Sequence, residues 1–226
     1  MTRKILDAFF VAILRIIARV DLQGLNNIPA SGACIMASNH IGRLDVLLVY
    51  SLMPRKDVIM LVAEKYSDSR LWRWVGKRLD AIFVERFEAD YKAVRQVMKR
   101  LKQGELLAIA PEGTRSRDGK LTQAKSGAVY LAAKAGIPII PVGILGTDDQ
   151  DVAKRLKKLK RLSIIIRVGK PFLLPANVEL ERDVRLEQQT NEMMCQIAAL
   201  LPAERHGYYR ENPRIGEILA ESLVQA

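Results

Sequence analysis

Residues 33–53 read ACIMASNHIGRLDVLLVYSLM. The first six side chains are apolar or small without alternation, the pattern of a strand covered on both faces. Residues 44–53 form a helix candidate, and a polar loop containing Asn39, His40, Gly42 and Arg43 joins the two. The same unit recurs outward from this stretch. Strands are expected at 58–63, 81–85, 106–110, 139–144 and 163–168, with 20–25 as a further one. Helices are expected at 70–78, 88–102, 123–135, 151–161 and 181–201, the last stopped by Pro202. Such alternation predicts an α/β fold: a mostly parallel or mixed central sheet of about seven strands flanked by helices, with right-handed crossovers. Ligands in these sheets bind beyond the carboxyl ends of the strands, so the chemistry is sought just after each strand.

His40 follows the first of these strands, and Asp45 lies five residues on. On a straight helix residues five apart point about 140° away from each other, so the two cannot meet along one helix face. They meet only if His40 sits in the loop and Asp45 in the first turn of the next helix, with Gly42 providing the bend. A carboxylate on one ring nitrogen then makes histidine an oriented general base. The spacing also arises by chance, and its position after a strand is what gives it weight.

Three further motifs accompany it. Pro111-Glu112-Gly113-Thr114-Arg115 follows the strand ending near residue 110, and Phe83-Val84-Glu85-Arg86 falls at the end of another. The fourth is the proline-bracketed Ile137-Pro138-Ile139-Ile140-Pro141-Val142. Arg86 and Arg115 suit bidentate capture of a phosphate, Gly113 allows an anion close to the backbone, and Lys125 adds positive charge to the same rim.

In this order the motifs resemble those of the lysophospholipid acyltransferase family, bacterial 1-acylglycerol-3-phosphate acyltransferases above all, over about residues 20–170. The resemblance implies His40 as general base oriented by Asp45, and an acceptor site of Glu112, Gly113, Thr114, Arg115, Arg86 and Lys125. It implies direct acyl transfer from a coenzyme A or acyl-carrier-protein thioester to the free hydroxyl of 1-acylglycerol-3-phosphate, giving phosphatidic acid, with no metal and no bound cofactor. A different lysolipid or aminolipid acceptor is the alternative. Two departures bear on the acceptor: Asp80 stands where the family carries glycine, and Ala124-Lys125-Ser126-Gly127 lacks the usual aromatic.

The net charge of +11 and pI of about 9.8 point to an anionic partner. With 6% aromatic residues and no nucleic-acid motif, a nucleic-acid-binding protein is the weaker reading. Cys34 and Cys195 form no CxxC and read as core side chains, and the two histidines allow no zinc site at usual spacing. Residues 1–19 read as an amphipathic membrane-interface helix, with Ile5, Leu6, Phe9, Phe10, Ile13, Ile16, Ile17 and Val20 on its apolar face and Arg3, Lys4, Asp7, Arg15 and Arg19 opposite; a helix docked on its own domain is the alternative. Its uncharged stretch is too short to span a bilayer. By the same resemblance residues 20–202 are expected to be the acyltransferase domain, and 203–226 a tail with a short helix in which His206 reads as solvated. The cationic run 154–161 fits a solvated face, anionic headgroups or an acidic carrier protein, and Trp72 and Trp74 suit a membrane interface. A peripheral location on the cytoplasmic face of the cell membrane is the matching expectation.

Overall fold

Burial on both faces makes strands of the apolar runs. In Cys34–Ser38 (β2) every side chain is buried, with Cys34 and Met36 facing one layer of helices and Ile35 and Ala37 the other. The other strands are Ala18–Gln23 (β1), Val58–Ala63 (β3), Ile82–Val84 (β4), Leu106–Ile109 (β5), Ile139–Leu145 (β6) and Leu162–Val168 (β7). They form one seven-stranded sheet in the order β1-β7-β6-β2-β5-β3-β4. Every neighbouring pair is parallel except β6 with β7, so the sheet is mixed. This computed structural model describes residues 3–64, 68–70, 73, 76, 79–85, 90–175 and 180–224. Arg86, Trp72, Trp74 and most of the helix expected at 70–78 lie outside the described residues.

Helices Arg3–Ile17 (α1) and Leu44–Leu52 (α2) cover one face of the sheet, through Leu14, Leu48 and Val49 against Met36, Leu106 and Ile140. Tyr91–Leu101 (α3), Gly127–Ala135 (α4), Arg182–Ala198 (α6) and Arg214–Val224 (α7) cover the other, through Val97, Val129, Met193 and Ile218 against Ile35, Ile59 and Leu107. Asp149–Lys157 (α5) joins β6 to β7. Asp90 caps α3 by accepting from the Ala93 amide at 2.8 Å. Cys34 and Cys195 are both fully buried core thiols, and burial pushes the Cys195 thiol up to about 11.

Four sequence expectations change. The first helix stops at Ile17, and Val20 pairs with Ile164 in β1 instead of continuing the helix face. The cause is long-range: the Arg161 guanidinium donates to the carbonyls of Arg15 and Ala18, capping the helix end. The helix docks by Phe10, Leu14 and Ile17, at helical spacing, and leaves Ile16 exposed. Helix α4 starts at Gly127, four residues later than expected, because the Lys125 amide is bound to the Pro111 carbonyl and the Ala124 amide to the Tyr209 hydroxyl. The helix expected at 151–161 runs from Asp149 to Lys157, because Leu159 turns into the left-handed region at φ 51°. His206 is buried, with Nε2 3.1 Å from the Leu201 carbonyl, because the tail folds back onto residues 118–124 instead of trailing in solvent. Asp80 has φ 50°, the conformation glycine adopts freely, so the departure from the family's glycine is conformationally matched, and Arg100 holds its carbonyl at 2.7 Å.

Candidate active site

The chain leaves β2 at Ser38 and turns through Asn39 to Arg43 before α2 begins. Asn39 extends the sheet: its side-chain amide donates to the Ile144 carbonyl at 2.9 Å, and its carbonyl accepts the Ile144 N–H at 2.7 Å. Gly42 packs so closely on the Thr147 carbonyl that a Cβ there would lie 1.8 Å from its oxygen, so glycine is required by contact. Asp45 falls in the first turn of α2, where the helix dipole favours a carboxylate. Its Oδ2 accepts from His40 Nδ1 at 2.8 Å and from the amides of Ile41 and Gly42 at 2.9 and 3.0 Å. With Nδ1–H given to the carboxylate, the lone pair of the ring is left on Nε2. The loop-plus-first-turn geometry is the one the spacing required.

The second loop is fastened to the first. Glu112 is 4% exposed, and its Oε1 accepts the His40 amide at 3.0 Å. Its Oε2 accepts the Thr122 amide and hydroxyl at 2.9 and 2.8 Å. Burial lifts the Glu112 carboxyl above the ordinary carboxylate range, against the pull of these donors. Ser116 N–H donates to the His40 carbonyl at 2.8 Å, so both ends of the His40 peptide unit are held by the 112–116 segment. Glu112 thus lies behind His40, with both oxygens occupied. Gly113 takes φ 72° and presents the Lys125 stem beside it; Thr114 is exposed.

Arg115 is turned to Asp149, with which its Nη1 makes a hydrogen-bonded ion pair. The other oxygen of Asp149 accepts the Arg43 amide at 2.9 Å, and the Arg43 side chain approaches at 3.8 Å. Two guanidinium groups therefore gather on the first turn of α5. Neither Asp149 nor Arg43 was singled out from the sequence. The signal was present in the rule that chemistry follows strands: residues 146–149 come directly after β6.

A cavity of about 380 Å³ opens beside the dyad. His40, Asp45, Gly113 and Lys125 line it, while Val46, Val49, Met60, Val84, Val94 and Val97 give it mainly apolar walls. Of the expected residues, the structure brings His40, Asp45, Gly113 and Lys125 to the cavity, Glu112 behind it and Arg115 to the Asp149 rim. Among the described residues no cluster of histidine, cysteine and carboxylate side chains could hold a metal ion.

The chain is similar to known proteins. The chain is 27% identical over 192 residues to the 1-acyl-sn-glycerol-3-phosphate acyltransferase of Bacillus subtilis, covering 83% of this chain and 91% of that one. It is 32% identical over 136 residues to a chloroplastic 1-acyl-sn-glycerol-3-phosphate acyltransferase of Brassica napus, covering 57% of this chain but only 38% of the plant protein. The crystal structure of the 1-acyl-sn-glycerophosphate acyltransferase PlsC from Thermotoga maritima shares the fold, with a TM-score of 0.62 at 22% identity over 84% of this chain and 79% of that one. The sequence profile of the family described as Acyltransferase matches residues 19–145, which run from β1 through the dyad, the Glu112–Arg115 loop and all of β6, and the chain belongs to that family.

Proposed function

We propose that this protein transfers an acyl group from a coenzyme A or acyl-carrier-protein thioester to the free hydroxyl of 1-acylglycerol-3-phosphate, giving phosphatidic acid. The observation that carries the reading is the 2.8 Å His40–Asp45 bond at the end of β2, beside an apolar cavity, in a member of this family. The acceptor hydroxyl attacks the thioester carbonyl while His40 Nε2 takes its proton. The negative charge passes to the former carbonyl oxygen, and collapse of the tetrahedral adduct breaks the carbon–sulfur bond. The departing thiolate then receives the proton from His40. As a positioned base His40 contributes on the order of 10²–10⁴ in rate, and Asp45 holds the ring in the required tautomer and stabilises the imidazolium. No nucleophilic side chain is needed.

The apolar cavity suits an acyl chain. Arg115, with Arg86 by family likeness, serves the acceptor phosphate, and the neighbouring Arg43 adds charge at the same rim. Glu112 supports the site by holding His40, and Lys125 adds charge beside Gly113. The exposed side of α1, which carries Ile16 and Arg15, supports a peripheral position on the cytoplasmic face of an anionic membrane.

The test is acyl transfer by His40→Ala protein. Loss of nearly all transfer, with an unchanged melting temperature, is the expected result; retained transfer would remove the mechanism. Acceptors with and without the phosphate, compared in the same assay, separate 1-acylglycerol-3-phosphate from other lysolipids. The phosphate reading expects a large loss in kcat/KM when it is absent.

A further inference from the structure

Leu159 is the most exposed large apolar side chain among the described residues, at 95%, and it stands in left-handed backbone. It occupies the turn that ends α5, fixed by the Leu159 amide on the Leu156 carbonyl at 3.0 Å and the Lys160 amide on the Arg155 carbonyl at 2.9 Å. A helix that ends this way commonly has glycine at such a position. Here a leucine is held out into solvent instead, surrounded by Lys154, Arg155, Lys157, Lys158, Lys160 and Arg161, all exposed. Among the described residues Lys157, Lys158 and Lys160 make no ion pair.

The topology decides where this turn sits. Because β7 is antiparallel to β6, with Leu145 opposite Ile165, the first residues of β7 extend past the carboxyl end of β6. That end is shared with β2, whose Ser38 pairs with Val142 and leads directly to His40. Helix α5 starts at Asp149, the partner of Arg115, and its nine residues reach about 13 Å from there. The turn after it therefore remains on the active-site edge. Strand β1 begins on the same edge, Ala18 opposite Leu162, so the end of α1 comes down beside the turn. Arg161 joins the two by its bonds to the carbonyls of Arg15 and Ala18. Ile16, 72% exposed, with Arg15 and Arg19 continues the surface.

We infer that the 154–161 turn is a further membrane contact, continuous with the exposed side of α1: Leu159 enters the headgroup layer of an anionic bilayer while Lys157, Lys158 and Lys160 bind lipid phosphates, setting the mouth of the site against the membrane. This rests on the acyl-transfer reading only in supplying a reason for the mouth to face lipid. An apolar tip ringed by cations matches an anionic interface in both charge and polarity. The surface shares its edge with Arg115 and Arg43, where a lipid acceptor has to arrive.

Point variants of the full chain test it. Deleting residues 1–19 would not, because Leu14 and Ala18 belong to the core. Leu159→Gly places glycine in the conformation it favours, so folding is kept while the apolar tip is removed. A second protein carries Lys157→Gln, Lys158→Gln and Lys160→Gln. Co-sedimentation is measured on vesicles of phosphatidylglycerol with phosphatidylcholine, and on phosphatidylcholine alone. With each lysine near an anionic surface contributing roughly fivefold in partitioning, the triple variant should bind on the order of 100-fold more weakly to the anionic vesicles. Leu159→Gly should lose about tenfold, the share of one leucine partly withdrawn from water. Both should keep wild-type turnover of a short-chain, water-soluble acceptor. Either variant partitioning like wild type overturns the proposal. So does a triple variant that keeps vesicle binding but loses capture of a purified acidic carrier protein, which would assign the surface to that partner. Wild-type protein that turned over no acceptor would remove the acyl-transfer reading, and the vesicle result would still decide the surface.

Discussion

Replacing Asp45 by asparagine separates the charge of the dyad from its geometry. The carboxylate makes all its hydrogen bonds through Oδ2, and Oδ1 is buried with no hydrogen-bond partner among the described residues. An asparagine can put its carbonyl oxygen at the Oδ2 position and keep the bonds from His40 Nδ1 and the amides of Ile41 and Gly42. Its NH₂ then occupies the unpartnered side, so the cost is an unsatisfied buried amide, about 1–3 kcal/mol, partly offset by relief of a buried charge. A melting-temperature change below about 8 °C follows for a domain of this size. What is lost is the negative charge facing the imidazolium that forms as the hydroxyl is deprotonated. At a charge separation of about 4 Å and an effective dielectric constant near 20 that interaction is about 4 kcal/mol. Allowing for solvent and dipole compensation, kcat should fall by about 10²–10³. The assay is thiol release from the acyl thioester with 1-acylglycerol-3-phosphate, paired with thermal unfolding. Acceptor KM should hardly move, because the hydrogen bonds of Asp45 all go to the His40 ring and its own loop. In a His40→Ala background the same substitution should cost little, as expected when one residue acts through another. A folded Asp45→Asn protein with kcat within about threefold of wild type would refute the charge argument and leave Asp45 as a loop anchor.

Two other substitutions probe the supports. Glu112→Gln turns an amide N–H toward one of the groups that now donate to the carboxylate, the His40 amide or Thr122; kcat/KM should fall by about 10–50-fold, measured in the same assay. Because burial raises the Glu112 carboxyl, the folded chain keeps that proton longer than the unfolded one. Its contribution to stability is full below the ordinary carboxyl range and is lost as pH rises through the folded value, so Glu112→Gln should flatten that fall in melting temperature. Arg55→Met should cost about 2–4 kcal/mol in denaturant melts with turnover unchanged, since the buried guanidinium serves the carbonyls of Gly32 and Gly104 and the Asp57 carboxylate, far from the dyad. Arg55 lowers the Asp57 carboxyl, which therefore supports the fold above the ordinary carboxyl range and loses that support as pH falls through the folded value; Arg55→Met should remove this acid sensitivity.

The sequence was legible where the deciding interactions are local or where burial is two-sided. Strands β2, β3, β5 and β6 are read directly because both faces are covered and the residues are apolar without a break. Edge strand β1, Ala18–Gln23, alternates buried and exposed positions, and its first residues fit the preceding helix period as well as a strand. Long-range contacts decide the matter: the pairing of β1 with β7 and the Arg161 cap, 146 residues from Arg15. His40 and Asp45 were found because five residues separate them. Asp149 lies 34 residues from Arg115 and 106 from Arg43, and Tyr209 lies 85 from the Ala124 amide it accepts from, distances over which a single sequence carries no pairing signal. His206 was misread for the same reason: its burial is a property of the tail's docking, which the polar composition of that segment conceals.

The reversed strand links the two halves of the functional reading. In a wholly parallel sheet, the connection from β6 would have to return to the amino edge before its next strand could begin. Running β7 antiparallel removes that requirement, so α5 and its turn stay on the carboxyl edge. One short connection can then contribute at both ends. Asp149, at its start, holds Arg115 and the Arg43 amide at the rim, and Asp148 beside it binds Arg205 of the tail at 3.2 Å. Leu159 and its lysines, at its end, are displayed beside the terminus of α1. The loops holding His40, Glu112 and Asp149 are cross-bonded, so a lipid surface drawn to the turn meets a dyad tied to the same edge through Arg43, Arg115 and Ser116.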